Sequence, residues 1–258
     1  MKKFAVVARL DEESYQLKQH IVQYLTDNGF VEDQISPKTV FVVGGDGTFL
    51  YAVHHYLKLL DQIHFIGIHT GTLGFMNDYH QDEVELMLHD FLHKDPHIDC
   101  NRLLEIIVEG KKEPYYAMNE MRIENPFKTQ ILDIFIDSVF FETFRGTGIC
   151  LATQMGSTAY NRSIKGAVIQ HGLSLLELSE IAGIHHREFQ SLGNSIILKE
   201  STEIELICDN FQGAILCYDH CFEQLDMAKR ILCRNSKKEV QIVRYRPYHY
   251  LSRLKNLF

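Results

Sequence analysis

Apolar and polar residues alternate in blocks along the first hundred positions, and the blocks predict alternating strands and helices. Short apolar runs at 4–8, 40–43 and 64–68 have the length and content of buried strands. Between the first two runs, apolar residues recur every fourth position from 17 to 25, which is typical of an amphipathic helix. We therefore predict a parallel, Rossmann-like α/β domain over residues 1–99.

After residue 99 the pattern changes to many short strand-like runs. Alternating or apolar segments predict a β-rich, β-sandwich-like domain over residues 100–235, in which only 157–188 is substantially helical and forms a helical insert. Residues 236–258 form a separate C-terminal segment. No internal repeat or flexible linker separates these parts.

Composition narrows the classes of partner. The formal net charge is −8 and no basic run stands out before the C-terminal tail, so nucleic acid is not an expected partner. No apolar stretch approaches the ~18–20 residues of a membrane span, so we expect no membrane partner. The six cysteines form no C-x-x-C pair and are interpreted as reduced thiols of a cytoplasmic protein. Cys217, His220 and Cys221 lack a second ligand pair, so we predict no protein-held metal site.

The predicted strand 40–43 runs into Gly-Gly-Asp-Gly at residues 44–47. Glycines allow positive φ and a close ligand, and amide groups at such a turn attract phosphate. There is no lysine after the glycines, so the turn is not a P-loop. A carboxylate beside phosphate suits either a metal ion or the proton of an attacking hydroxyl. Thr48 can open the helix that follows. The alternative is an ordinary strand-to-helix turn in which Asp46 is only an N-cap.

Two further segments carry polar groups suited to a nucleotide. Asn119 and Glu120 together offer donors and acceptors that can read ribose hydroxyls or an adenine edge, although a turn is the ordinary alternative. Residues 156–160, Gly-Ser-Thr-Ala-Tyr, combine small residues, two hydroxyls and an aromatic ring. The ordinary alternative here is a capped helix with a core tyrosine.

In this order, the three segments resemble the motifs of the bacterial NAD kinase family, of the Gram-positive type. The resemblance extends to 67–75, 218–220 and 244–246 and covers nearly the whole chain. Gly-Gly-Asp-Gly alone also occurs in lipid kinases and phosphofructokinases, but its combination with the other two motifs is specific.

The resemblance implies phosphorylation of the 2′-hydroxyl of the adenosine ribose of NAD, which yields NADP. The implied donor is ATP, or polyphosphate in some relatives, with a divalent metal (Mg²⁺ or Mn²⁺). It also implies that the C-terminal segment 236–258 returns to the first domain. A further implication is a homotetramer or homodimer in which a neighbouring subunit lines part of the NAD site.

Carried onto this sequence, the resemblance makes Asp46 the catalytic residue. The residues that it implies in phosphate, NAD or nucleotide binding are Gly45, Gly47, Leu73, Gly74, Phe75, Asn119, Glu120, Thr147, Ser157, Thr158, Ala159 and Tyr160.

Two departures from the family pattern bear on function. Relatives usually carry Asp where this chain has Thr147, and that acid contributes to nucleotide binding in the same chain or across a subunit boundary. Relatives also usually carry Pro where this chain has Gln154. These departures motivate one alternative, a dinucleotide-binding protein without turnover. The glycine turn alone motivates another, a lipid or small-alcohol kinase.

Overall fold

The computed structural model describes residues 2–71, 73–185, 187–188 and 190–257. The chain divides into two compact units, Met1–Asn101 with Lys238–Phe258 and Arg102–Lys237. In chain order the elements are β1 (Lys3–Ala8), α1 (Glu12–Asp27), β2 (Val31–Glu32), β3 (Thr39–Val43), α2 (Asp46–His55), β4 (His64–His69), β5 (Tyr79–His80), α3 (Val84–His93), β6 (His97–Val108), β7 (Tyr115–Ala117), β8 (Glu120–Glu124), β9 (Gln130–Ile136), β10 (Val139–Gly146), β11 (Gly148–Thr153), α4 (Tyr160–Ser163), β12 (Leu175–Ile181), β13 (Ile196–Lys199), β14 (Glu203–Ile207), β15 (Ile215–Tyr218), β16 (Cys221–Gln224), β17 (Arg230–Arg244) and α5 (Tyr250–Lys255).

The first unit is built on a parallel sheet. Its strands lie in the order β2–β1–β3–β4, with β5 and the end of β17 beside β4. Strands β3 and β4 are buried along nearly their whole length, because apolar residues fill both faces. Ile21 and Leu25 of α1 and Leu88 of α3 enter the same core. Asp11 caps α1 by accepting the Ser14 N–H at 2.9 Å.

The second unit contains two mainly antiparallel sheets around one apolar core. One sheet includes the order β10–β9–β14–β17, and the other has the order β13–β12–β11–β8–β15–β16. Leu132 and Phe144 from the first sheet and Ile149 and Leu216 from the second are fully buried in one cluster. The predicted fold class, an α/β domain with a β-rich, sandwich-like domain, is therefore confirmed.

The helical insert is much shorter than predicted. Met155–Thr158 forms one 3₁₀ turn and α4 spans only Tyr160–Ser163, whereas Leu175–Ile181 is strand β12. His186, within the predicted helical range 157–188, lies outside the described residues. Apolar residues at 175, 178 and 181 imitate helical spacing, but β12 pairs with β11 on one side and β13 on the other. Pairing in a central strand thus outweighs local periodicity.

The helices of the described residues include none that is long and apolar enough to cross a membrane.

Candidate active site

The turn after β3 leaves its backbone open to a ligand. A Cβ at Gly44 would lie 2.3 Å from the Thr48 hydroxyl oxygen, so a side chain is excluded there. Gly45 and Gly47 instead face open space, with no atom within 4 Å of an added Cβ. Helix α2 begins at Asp46, two residues before the predicted start at Thr48. The first N–H groups of a helix have no intrahelical acceptor, so this turn offers donors suited to an anion.

The Asp46 carboxylate is held by a segment that follows β4. Oδ2 accepts the N–H of Phe75 at 2.9 Å, and Oδ1 accepts the N–H of Met76 and the side-chain amide of Asn77, each at 3.2 Å. The N-cap of α2 is Gly45, which contributes no side-chain bond. The alternative in which Asp46 merely caps its own helix is therefore wrong, because its oxygens are directed at another part of the first unit.

Gly74 lies against the Asp46 carboxylate. A Cβ at Gly74 would lie 2.3 Å from both carboxylate oxygens, so only glycine permits this approach. Phe75 is buried and its ring packs at 5.7 Å from that of Tyr250. Leu73 is half-buried, and Thr72 lies outside the described residues. In the first unit the structure thus brings Gly74 and Phe75 into direct contact with Asp46.

In the second unit, Asn119 and Glu120 are fixed by an aspartate on a neighbouring hairpin. The Asp219 carboxylate accepts the N–H groups of Met118 and Asn119, both at 2.8 Å. The Asp219 N–H returns a bond to the Glu120 carbonyl at 3.1 Å. Oδ1 of Asn119 and Oε2 of Glu120 are buried, and neither has a hydrogen-bond partner among the described residues. Both side chains therefore keep an acceptor available for a ligand.

The Glu120 carboxyl is in an environment that favours its neutral form. Burial raises its pKa to about 7, and the nearby Asp219 carboxylate acts in the same direction. Arg122 and the Tyr160 N–H oppose this shift. Near neutral pH the side chain therefore exists in both forms, and the protonated form can donate a hydrogen bond as well as accept one.

The segment 156–160 packs directly on the Asn119 backbone. A Cβ at Gly156 would lie 2.0 Å from the Asn119 carbonyl oxygen, which explains why a glycine stands there. The Ser157 hydroxyl donates to the Gln154 carbonyl at 2.7 Å and accepts the Ile169 N–H at 3.0 Å. Because Ser157 is fully buried and uses its hydroxyl in both directions, it shapes the loop from within.

Thr158, Ala159 and Tyr160 follow along the chain and are all half-buried. The Thr158 hydroxyl donates to the Met155 carbonyl at 3.3 Å. The guanidinium of Arg122 lies 3.9 Å from the centre of the Tyr160 ring, a cation–π contact that fixes the ring. Asn119, Glu120 and residues 156–160 thus form one cluster.

Thr147 is not part of that cluster within the chain. It precedes β11, whereas Thr153 at the other end of β11 bonds the Met118 carbonyl at 2.6 Å beside the cluster. The six residues of β11 span about 20 Å at ~3.3 Å per residue. Thr147 instead bonds backbone groups of Ile181 and Asn125.

The side chains that could bind a divalent metal ion fit only one kind of site. Among the described residues there is no group of three or more His, Cys, Asp or Glu side chains that could hold an ion. Mg²⁺ at kinase sites keeps several waters and binds one or two carboxylates together with substrate phosphates. The residues therefore fit an ion that arrives on donor phosphates, with Asp46 as the nearest carboxylate to the open turn.

Several residues of these two clusters escaped the sequence analysis. Asn77 lies two residues after Phe75, and nothing local distinguishes its amide from that of a turn residue. Asp219 lies in segment 218–220, to which the resemblance extends, but no role is predicted for it; it stands in a two-residue hairpin between β15 and β16 with φ +50°, and an aspartate at such a turn is a recognisable signal. Tyr248 and Arg253 reach the 74–78 segment from the C-terminus, and no sequence pattern predicts that contact.

Comparisons with known proteins agree on one family. A family profile described as the ATP-NAD kinase N-terminal domain matches residues 12–96. The NAD kinase of Lysinibacillus sphaericus (strain C3-41) is 36% identical over 259 residues, which cover 99% of this chain and 98% of that protein.

Two solved structures have a similar fold. Yeast NADH kinase complexed with NADH gives a TM-score of 0.80 at 17% identity, covering 100% of this chain and 86% of that chain. An NAD kinase from Archaeoglobus fulgidus in complex with ATP gives 0.75 at 22% identity, covering 99% and 97%. At these identities the structures establish the fold, while the full-length relative establishes the family. The chain therefore belongs to the NAD kinase family, as its three motifs predict.

Proposed function

We propose that this protein is an ATP-dependent NAD kinase that phosphorylates the 2′-hydroxyl of the adenosine ribose of NAD. The observation that carries the proposal is the Asp46 carboxylate, held by three hydrogen bonds at an open glycine turn. The related L. sphaericus protein is named as an NAD kinase. A phosphoryl acceptor needs a base in a fixed position, and Asp46 supplies it.

In this mechanism the chain contributes position and charge more than covalent chemistry. Gly45 and Gly47 leave their backbone open, so donor phosphates can approach the N-terminus of α2. Asp46 accepts the proton of the ribose hydroxyl as that oxygen attacks the terminal phosphorus, and the bond from this phosphorus to the β,γ-bridging oxygen breaks to release ADP. A divalent ion, Mg²⁺ or Mn²⁺, would be held by the donor phosphates with Asp46 as the nearest carboxylate, and it would supply charge neutralisation. ATP is the proposed donor, with polyphosphate as a second possibility to test.

The second unit supplies the groups that bind the dinucleotide. Asn119 and Glu120 keep buried acceptors without protein partners, which suits the hydroxyl groups of a ribose or an adenine amine. The aromatic ring of Tyr160, which Arg122 fixes, belongs to the same cluster. Ser157 acts indirectly by holding the loop, and Thr158 and Ala159 border it.

The position of Thr147 leads us to include an oligomer in the proposal. Because it stands at the far end of β11 from Asn119 and Tyr160, it serves an NAD site only when a second copy of the chain brings it there. We therefore retain the homotetramer, or homodimer, that the resemblance implies. We also propose a domain over residues 1–99 and a second domain over residues 100–235. The segment 236–258 is proposed to return to the first domain, and the protein is proposed to be cytoplasmic.

A labelling experiment tests the proposed activity against its rivals. The purified protein is incubated with Mg²⁺ and ATP labelled in the terminal phosphate, and with either NAD or diacylglycerol in vesicles. Transfer of label to NAD alone, at the 2′-position, is the expected result. Label in diacylglycerol would favour a lipid kinase. Tight NAD binding without transfer from ATP or polyphosphate would favour a binding protein without turnover.

A further inference from the structure

The C-terminal segment reaches the same short stretch that holds the Asp46 carboxylate. The Tyr248 hydroxyl donates to the Phe75 carbonyl at 3.1 Å. Nη1 of Arg253, on helix α5, donates to the Gly74 carbonyl at 2.8 Å. All of these residues belong to the first unit. These two hydrogen bonds end on backbone carbonyls and not on Asp46, whose carboxylate also acts on the Arg253 guanidinium through charge.

The two contacts coincide with the two peptide groups that bind Asp46. The Gly74 carbonyl and the Phe75 N–H belong to one peptide group, and in a planar trans peptide they point in opposite directions. Arg253 therefore binds one side of the group whose N–H binds Oδ2 of Asp46. Tyr248 stands in the same relation to the next peptide group, whose Met76 N–H binds Oδ1.

The environment of these two side chains keeps them as donors. Burial raises the pKa of the Tyr248 hydroxyl to about 12, so it retains its proton at neutral pH. Arg253 is only 6% exposed and also bonds the Asn77 carbonyl and the Asp78 carboxylate. Its guanidinium lies 4.6 Å from the centre of the Tyr248 ring. The two residues thus form one rigid group against the 74–78 segment.

We propose that Tyr248 and Arg253 are positioning residues for the reaction, which fix and polarise the two peptide groups that orient the Asp46 carboxylate. The inference rests on the proposed function and adds a role for the C-terminal segment to it. Hydrogen bonds on both sides of a peptide group strengthen one another. Loss of either contact frees its peptide group to rotate, which displaces one carboxylate oxygen relative to the acceptor hydroxyl.

Steady-state kinetics of Tyr248→Phe test this role. The variant keeps the ring and removes only the donor to the Phe75 carbonyl. One neutral hydrogen bond corresponds to a fall in kcat of about five- to tenfold. KM for NAD and for ATP should stay within about twofold, because no ligand contact is removed. Arg253→Lys keeps a charged donor but loses the planar set of N–H donors of the guanidinium. This variant should lower kcat in the same way.

Two variants of the same segment serve as matched controls. Tyr245→Phe removes a hydroxyl from a half-buried tyrosine that packs on the core of the first unit. Arg246→Gln removes the ion pair with Glu83 at 3.0 Å. Neither residue bonds the 74–78 segment, so both should retain wild-type kcat even if they melt earlier. Wild-type kcat in Tyr248→Phe, or the same fall in Tyr245→Phe, would overturn the inference.

Amide hydrogen exchange tests the same contacts without relying on activity. In Tyr248→Phe the Met76 N–H should exchange faster, and in Arg253→Lys the Phe75 N–H should. In Tyr245→Phe both rates should match the wild type. Unchanged exchange in Tyr248→Phe would overturn the inference, whatever the protein phosphorylates. A wild type that makes no NADP but shows the expected exchange would instead refute the proposed function and leave the backbone contact standing.

Discussion

At the scale of single residues, Gly74 decides whether the Asp46 carboxylate can occupy its place. In Gly74→Ala the new methyl group would meet both carboxylate oxygens at 2.3 Å, so the carboxylate must move. A displacement of about 1 Å at a reacting group costs on the order of 100-fold in rate. We expect kcat for NADP formation to fall by about that factor.

Gly71→Ala is the matched control, because a Cβ there meets no atom within 4 Å. This variant should keep at least half of the wild-type kcat. If Gly74→Ala were as active as Gly71→Ala, the carboxylate would not need the position that the structure gives it.

Glu120 gives a prediction about pH and stability. Its pKa is about 7 in the folded protein against the usual 4.5, so between these values the folded state binds more protons than the unfolded state. The free energy of unfolding therefore falls as the pH rises through this window and then levels off. The effect is on the order of 3 kcal/mol at most, from ~1.36 kcal/mol per pKa unit.

Urea unfolding at a series of pH values from 4.5 to 8 measures this loss. Glu120→Gln has no carboxyl to titrate and should gain stability relative to the wild type as the pH rises. Parallel pH curves for the two proteins would show that burial of Glu120 does not perturb its titration.

Residue types alone indicate part of the candidate site. Glycines around an acid indicate Asp46, and an adjacent amide and acid indicate Asn119 and Glu120, whose roles stay predictions. What could not be predicted is how side chains share their hydrogen bonds. Ser157 is expected to face a ligand, yet its hydroxyl is fully used inside the loop. Partners distant in sequence, such as Arg253 for Gly74, depend on the tertiary fold and leave no local pattern.

At the scale of elements, the end of β17 is joined to the first unit by a buried ion network. Arg244 is 2% exposed and bonds Asp78 at 2.6 Å and Asp99 at 2.9 Å. Removal of one partner from such a network leaves buried charge unpaired and costs roughly 3–5 kcal/mol. We expect Arg244→Met to lower the free energy of unfolding by about that amount.

Arg246→Met is the comparison, because its ion pair with Glu83 is partly exposed and such pairs contribute at most about 1 kcal/mol. Urea unfolding at neutral pH measures both. Equal losses in the two variants would mean that the buried network contributes no more than a surface pair.

Strands and helices could be predicted from the sequence where one local pattern is clear. In the first unit, buried apolar runs predict strands β1, β3 and β4 nearly as observed. In the second unit, β12 is missed because its apolar spacing is helical. It is a central strand, whose stability comes from two neighbours and not from local preference.

At the scale of the whole molecule, Thr147 links activity to assembly. Thr147→Asp restores the charge that relatives usually carry, and a charged hydrogen bond to NAD lowers KM by about one to two powers of ten. Because Thr147 stands at the other end of β11 from Asn119, we expect this gain only in an oligomer. kcat should change little.

Sedimentation velocity and NAD kinetics over a range of protein concentrations check this prediction together. The difference in KM between Thr147→Asp and the wild type should disappear where the protein dissociates to monomers. An unchanged KM in the oligomer would show that this segment lies outside the NAD site.

The most direct test of the account is Asp46→Asn, which keeps the size of the side chain and removes its capacity to accept a proton. General-base catalysis contributes about two to four orders of magnitude, so kcat for NADP formation should fall by that much. NAD affinity, measured by calorimetry, should stay near the wild-type value, because the groups proposed to bind NAD are untouched. Turnover close to that of the wild type, with the fold intact, would contradict the central role of Asp46.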